Sequence, residues 1–163
     1  MFGVQRHITR LPTVSGGLTA TLRTAGQQTF DLSAGNYWSV RSIDTVMWSD
    51  TITDPDGLTT LNGSGYRVLP AGSYTFDFTG NFLARNVNSN GYVQLRANFV
   101  QGGSAGTQIY QSPLRTGPSQ AFSGLAISYT NASSFTISPV IYNGSGNIEW
   151  PGMNSVSLVI TQL

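Results

Sequence analysis

A period of two runs through most of this chain and limits it to strands. Leu18, Ala20 and Leu22 alternate with Thr19, Thr21 and Arg23. Tyr37, Ser39, Arg41 and Ile43 oppose Trp38, Val40 and Ser42. Tyr74, Phe76 and Phe78 share one face, with Thr75 and Asp77 on the other. Val93, Leu95, Ala97 and Phe99 alternate with Gln94, Arg96 and Asn98, and Val156, Leu158 and Ile160 alternate with Ser157, Val159 and Thr161. Alternation of this kind puts one face on a core and the other on something polar. Turn chemistry separates the runs. Asp54-Pro55-Asp56-Gly57 and Leu69-Pro70-Ala71-Gly72 join a fixed proline φ to a permissive glycine, and Asn62-Gly63, Asn90-Gly91 and Asn143-Gly144 are hairpin pairs. Gly, Pro, Asn and Ser recur too often for a helical apolar stripe. Many short strands with such punctuation predict an all-β fold, an antiparallel sandwich.

The chain has 163 residues, one domain's worth, and no cysteine, so neither disulfides nor thiolate metal sites can staple it. Charged residues make up 9% against about 25% in an average domain, so hydroxyls and amides must keep it in solution. All eight basic residues are Arg, and they are scattered, which gives no phosphate-tracking stripe and excludes nucleic acid as the expected partner. No apolar run is long enough to cross a membrane as a helix. The N-terminal stretch lacks the apolar centre of a signal peptide, so export by another route is expected, such as inside a virion assembled in a host cytoplasm.

Two stretches differ from the rest. Residues 1–17 read as an extended N-terminal arm ahead of a single domain at 18–163. Phe2, Val4, Ile8 and Leu11 could lie in a partner's groove, and Arg6, His7 and Arg10 could meet an acidic one. Residues 101–120 read as a long Gly/Ser/Gln/Pro connection with a short strand at 107–111, carrying Tyr110 and Arg115 as surface-recognition candidates.

From Gly65 to Phe76, through Pro70-Ala71-Gly72 and then Tyr74-Thr75-Phe76, the sequence resembles trimeric jelly-roll domains of the tumour-necrosis-factor and complement-globular-head kind. The strands at 92–100 and 156–163 fit the same pattern, and the resemblance covers about residues 45–163. Similar domains serve as decoration, head-fibre and tail-knob proteins of tailed phages. The resemblance implies a jelly roll and a homotrimer.

No catalytic constellation emerges. His7 is the only histidine, and without Cys or Lys no nucleophile–base pair forms beyond a Ser or Tyr with that His. Asp50, Asp54 and Asp56 could offer oxygens to Ca²⁺, but the bidentate Glu of a calcium loop is missing, and a turn with side-chain-to-backbone bonds is the simpler reading. Asp44, Asp50, Asp77 and Glu149 could supply a glycosidase pair, though nothing marks one. Trp38 and Trp48 read as core residues. Trp150 lies among turn residues and reads as a loop or interface residue open to recognition.

The expectation is therefore a non-enzymatic virion protein without cofactor or metal: a trimeric capsid decoration or head-fibre protein bound to a major capsid protein or another virion protein. A tail-fibre knob that binds a receptor or host surface glycan is the alternative, and a glycan hydrolase comes third.

Overall fold

The computed structural model describes residues 17–23, 30–32, 35, 37–39, 53–84, 86–87, 91–114, 117–143, 148–150 and 152–163. Among them every regular element is a strand: β1 (Thr19–Arg23), β2 (Phe30–Leu32), β3 (Tyr37–Ser39), β4 (Thr60–Leu61), β5 (Arg67–Leu69), β6 (Gly72–Ala84), β7 (Asn86–Val87), β8 (Gly91–Ala97), β9 (Thr107–Pro113), β10 (Gly117–Asn131), β11 (Phe135–Asn143), β12 (Ile148–Trp150) and β13 (Gly152–Gln162). All pairings are antiparallel.

One sheet runs β1-β13-β6-β10 and the second β4-β5-β11-β8-β9, with β3 also paired to β11. The chain passes repeatedly between these sheets, which makes the fold an antiparallel jelly-roll sandwich. A small sheet, β2-β12-β7, completes the described strands. β5 pairs with the first part of β11 and β3 with the last, both on the edge away from β8.

The alternation explains the core. Tyr74, Phe76 and Phe78 of β6, Leu158 and Ile160 of β13, and Leu95 and Ala97 of β8 are fully buried in one cluster with Leu22, Leu69, Phe135 and Ile137. Each large apolar side chain so placed stabilises the fold by about 1.5–3 kcal/mol. The Tyr74 hydroxyl donates to the Pro70 carbonyl, which ties the Pro70-Ala71-Gly72 turn to the strand it opens.

Four expectations need correction. Phe99 leaves the face of Val93, Leu95 and Ala97 and joins a separate cluster with Tyr66 and Val140. The reason is Asn98, whose φ of 55° is left-handed and reverses the alternation one residue before Phe99. Leu18 sits outside the core, ahead of the first paired residue. The long connection at 101–120 is mostly strand, since β9 and the start of β10 occupy it and only 101–106 and Leu114 are described outside strands there. Trp150, read as a loop or interface residue, closes strand β12 opposite Phe30, so the loop half of that reading is overturned. Residues 1–16 of the expected arm lie outside the described residues.

Candidate functional site

The most elaborate surface is the side of the second sheet turned away from the core. Tyr92 of β8, Tyr142 of β11 and Tyr37 of β3 are cross-strand partners in one register row. Their rings follow one another: Tyr92 and Tyr142 stack at 6.4 Å and 12°, and Tyr142 and Tyr37 lie 4.5 Å apart. Phe99 extends the row, 5.7 Å from Tyr37. The three tyrosines are half-buried and Phe99 is buried. Aromatic pairs at such separations contribute about 0.5–1.5 kcal/mol beyond area burial, so the row is a stiff platform.

Beside it lies a buried polar network. Gln94 is 2% exposed and Arg96 8%, although both stand on the face opposite the core. The Gln94 amide nitrogen donates to Gln108 Oε1 (3.1 Å) and Gln111 Oε1 (2.7 Å). Gln94 Oε1 accepts from Arg96 Nε at 2.6 Å. Arg96 Nη1 donates to the carbonyls of Ala105 (2.7 Å) and Gly106 (3.3 Å), and the guanidinium carbon sits 5.1 Å from the centre of the Tyr37 ring. A bulge makes this possible. Tyr110 pairs with Leu95 and Gln108 with Arg96, so Ile109 is the extra residue and both glutamines flank Gln94. Strict alternation would have put Gln108 and Gln111 on opposite faces.

The loop 100–106 is held against this network. Val100 N donates to the Ser104 carbonyl, Gly103 N to the Val100 carbonyl, and Gln101 N to the Tyr66 hydroxyl. Gly106, with φ 62°, returns the chain into β9, and a Cβ there would collide with the Ala97 and Asn98 backbone, so only glycine fits. Between loop and tyrosine row is a half-open cavity of about 300 Å³ lined by Gly35, Tyr37, Phe99, Gly102, Gly103 and Ala105. Ser138, opposite Arg96 in register, is fully buried and its hydroxyl has no partner among the described residues, and neither has Thr136 Oγ1 on the same face. Unmet hydroxyls of this kind cost about 1–3 kcal/mol each, so this face is not built for stability alone.

The sequence-predicted residues fall elsewhere. Tyr110 turns inward: its ring meets Phe78 edge-on at 5.9 Å and covers Gly124, where a Cβ would come within 2.6 Å of it. Its aromatic surface is therefore spent on the core. Arg115, Phe2, Val4, Arg6, His7, Ile8, Arg10, Leu11, Asp44, Asp50 and Trp48 lie outside the described residues. Asp54 is a loop staple. Its Oδ1 accepts from Leu58 N, and its Oδ2 from Thr59 N and the Thr59 hydroxyl. Burial alone would raise its pKa, but the bonds from Thr59 and Leu58 and the nearby Arg67 charge together hold it below the usual 3.8. Both oxygens thus serve the turn, as the simpler reading had it. Asp77 Oδ1 accepts from Ala126 N, fixing a bulge in β10. Glu149 occupies the register position facing Asp31, a juxtaposition of two acids that the sequence alone did not reveal. No group of three metal-ligating side chains occurs among the described residues.

Comparison with known proteins adds the following. No family model matches the sequence, and no curated protein matches it. A solved structure of Eiger TNF from S. frugiperda aligns over 91% of this chain and 93% of its own, at 12% identity and a TM-score of 0.48. A family two carbohydrate esterase from Cellvibrio japonicus aligns over 85% of this chain and 34% of its own, at 11% identity and a TM-score of 0.23. Strand order and pairing, rather than either likeness, establish the jelly roll here.

Proposed function

We propose that this chain is a non-enzymatic recognition and assembly module of a phage particle, working as a homotrimer, and that its task is to bind a surface glycan or receptor. The observation that carries this reading is the outer face of the second sheet: a tyrosine row, a buried Arg96–Gln94 network, and a cavity between the Tyr37 end of that row and the 100–106 loop. Aromatic faces and fixed polar groups around a concavity are what a small-ligand site needs. Clamping of capsid subunits, the reading first drawn from the sequence, needs buried area but no such cavity. The low charge, with 9% of residues ionisable as Asp, Glu or Arg, supports subunit association of either kind.

Two measurements test it. Sedimentation equilibrium is expected to give about three times the 17.4 kDa chain mass at micromolar concentration, and a monomer mass contradicts the trimer. A glycan array probed with wild type and Tyr37→Ala is expected to show binding only for wild type. Equal signals from both proteins contradict the assignment of the site. If the purified protein cleaves any bound glycan, and Glu149→Gln abolishes that, the non-enzymatic half falls.

A further inference from the structure

Arg96 is a buried cation, 8% exposed, with no anion among the described residues. Its Nε is used by Gln94 and its Nη1 by two backbone carbonyls, while its face rests on Tyr37. No carboxylate pairs with it among the described residues, and its Nη2 has no partner there and is not sealed from solvent. A buried charge is costly unless it is compensated, and hydrogen-bonding dipoles compensate it only in part. Two residues in contact with the guanidinium, Tyr37 and Ala105, also line the cavity. The positive charge therefore lies behind the cavity wall that Tyr37 and Ala105 form, close enough to act on a ligand by its field.

We infer that this cavity takes an acidic sugar, a pyranose bearing a carboxylate such as a uronic or sialic acid, with Arg96 supplying the counter-charge. The inference rests on the glycan-binding reading above and narrows it. Tyr37, half-buried, brings an aromatic ring to the wall of the cavity, against which the C–H groups of a pyranose can pack. Gly35 and Gly102 keep the wall free of side chains: a Cβ at either would meet nothing within 4 Å, so it would project into open space. The volume of about 300 Å³ suits one or two sugar rings. Arg96 is the only arginine on this face among the described residues. That fits a singly charged carboxylate better than a phosphate, which draws more than one cation.

The test uses oligosaccharides ending in glucuronic, galacturonic or sialic acid, each beside its carboxyl-reduced counterpart, with calorimetric titration of the wild type, Arg96→Met and Arg96→Lys. Wild type is expected to bind at least one acid about ten-fold or more tightly than its reduced form, as attraction to a nearby positive charge would give. Arg96→Met should lose that preference and Arg96→Lys should keep most of it. Should Arg96→Met fail to fold, the acid-to-reduced ratio in wild type and Arg96→Lys decides. Equal binding of acid and reduced forms by wild type overturns this inference and leaves glycan binding standing. Binding of neither overturns both.

Discussion

On the outer face of the first sheet, Thr75, Asp77 and Thr79 of β6 and Ser123 and Ser128 of β10 are half-buried or exposed, and Leu125, lifted by the β10 bulge, is 66% exposed. On the outer face of the second sheet, Gln94, Arg96, Ser138 and Val140 are buried, although polar residues hold three of those four positions. The inner faces behave alike and meet in one apolar core. The first sheet thus follows the ordinary rule of polar-out alternation. The second carries a further layer of tyrosine rings, amides and a glycine-rich loop. Burial of polar groups with unmet hydroxyls lowers stability, so that layer is the costlier of the two faces.

The sharpest way to break this comparison is to empty one cluster at a time. Phe76→Ala should cost about 4 kcal/mol, because Phe76 is enclosed by the main core, and most of the fold's stability should go with it. Phe99→Ala should cost about 3 kcal/mol, since its cluster is small and borders a cavity into which neighbours can relax. Urea denaturation measures both. A larger loss for Phe99→Ala would make the outer layer, rather than the sandwich, the main source of stability.

Gln94→Leu tests the polar network itself. It removes the acceptor of Arg96 Nε and the donor to two glutamines, and should cost about 2 kcal/mol by thermal denaturation. A neutral result would mean that water replaces the amide freely.

The two left-handed residues other than glycine among those described should respond in opposite ways to substitution by glycine. Ala126, φ 51°, contributes no side-chain bond, so Ala126→Gly should relieve strain and stabilise by about 0.5 kcal/mol. Asn98 has φ 55°, but its Oδ1 accepts from Thr136 N, so Asn98→Gly should lose about 1 kcal/mol despite the easier backbone. Parallel shifts in the two variants would remove the special role given to Asn98.

The smallest effect is a pH dependence. Asp54 is held below its ordinary value in the fold, so its contribution is present above the unfolded pKa near 3.8 and is lost as pH falls through the lower folded value. Stability of wild type should therefore fall through that acid window by more than that of Asp54→Asn, and identical acid profiles would deny the Asp54 staple any energetic role.

Much of the sandwich was legible in the sequence because it obeys local rules. Tyr74, Phe76 and Phe78, and Val156, Leu158 and Ile160, alternate and are buried as the pattern requires. The Asp54–Gly57 turn closes with Gly57 N donating to the Asp54 carbonyl and Gly57 at φ 65°. Asn62-Gly63 sits in the loop joining β4 to β5, where Asn62 Oδ1 accepts from Ser64 N and Tyr66 N. The candidate site was not legible, because it depends on two breaks in the period. The left-handed Asn98 sends Phe99 outward, and the bulge at Ile109 brings Gln108 and Gln111 to one face. Counting alternate residues cannot register an added residue or a reversed φ. Tyr37 was visible as a strand residue, but its partners, Tyr142 and Arg96, come from remote strands.

The central claim is that recognition belongs to the outer face of the second sheet and not to that of the first. Chemical-shift mapping on the labelled protein, titrated with a uronic- or sialic-acid oligosaccharide, tests it most directly. The account predicts saturable shifts at Tyr37, Phe99, Gly102, Gly103 and Ala105, with Thr75, Thr79 and Ser123 unmoved. Shifts confined to Thr75, Thr79, Ser123 and Leu125 would contradict it.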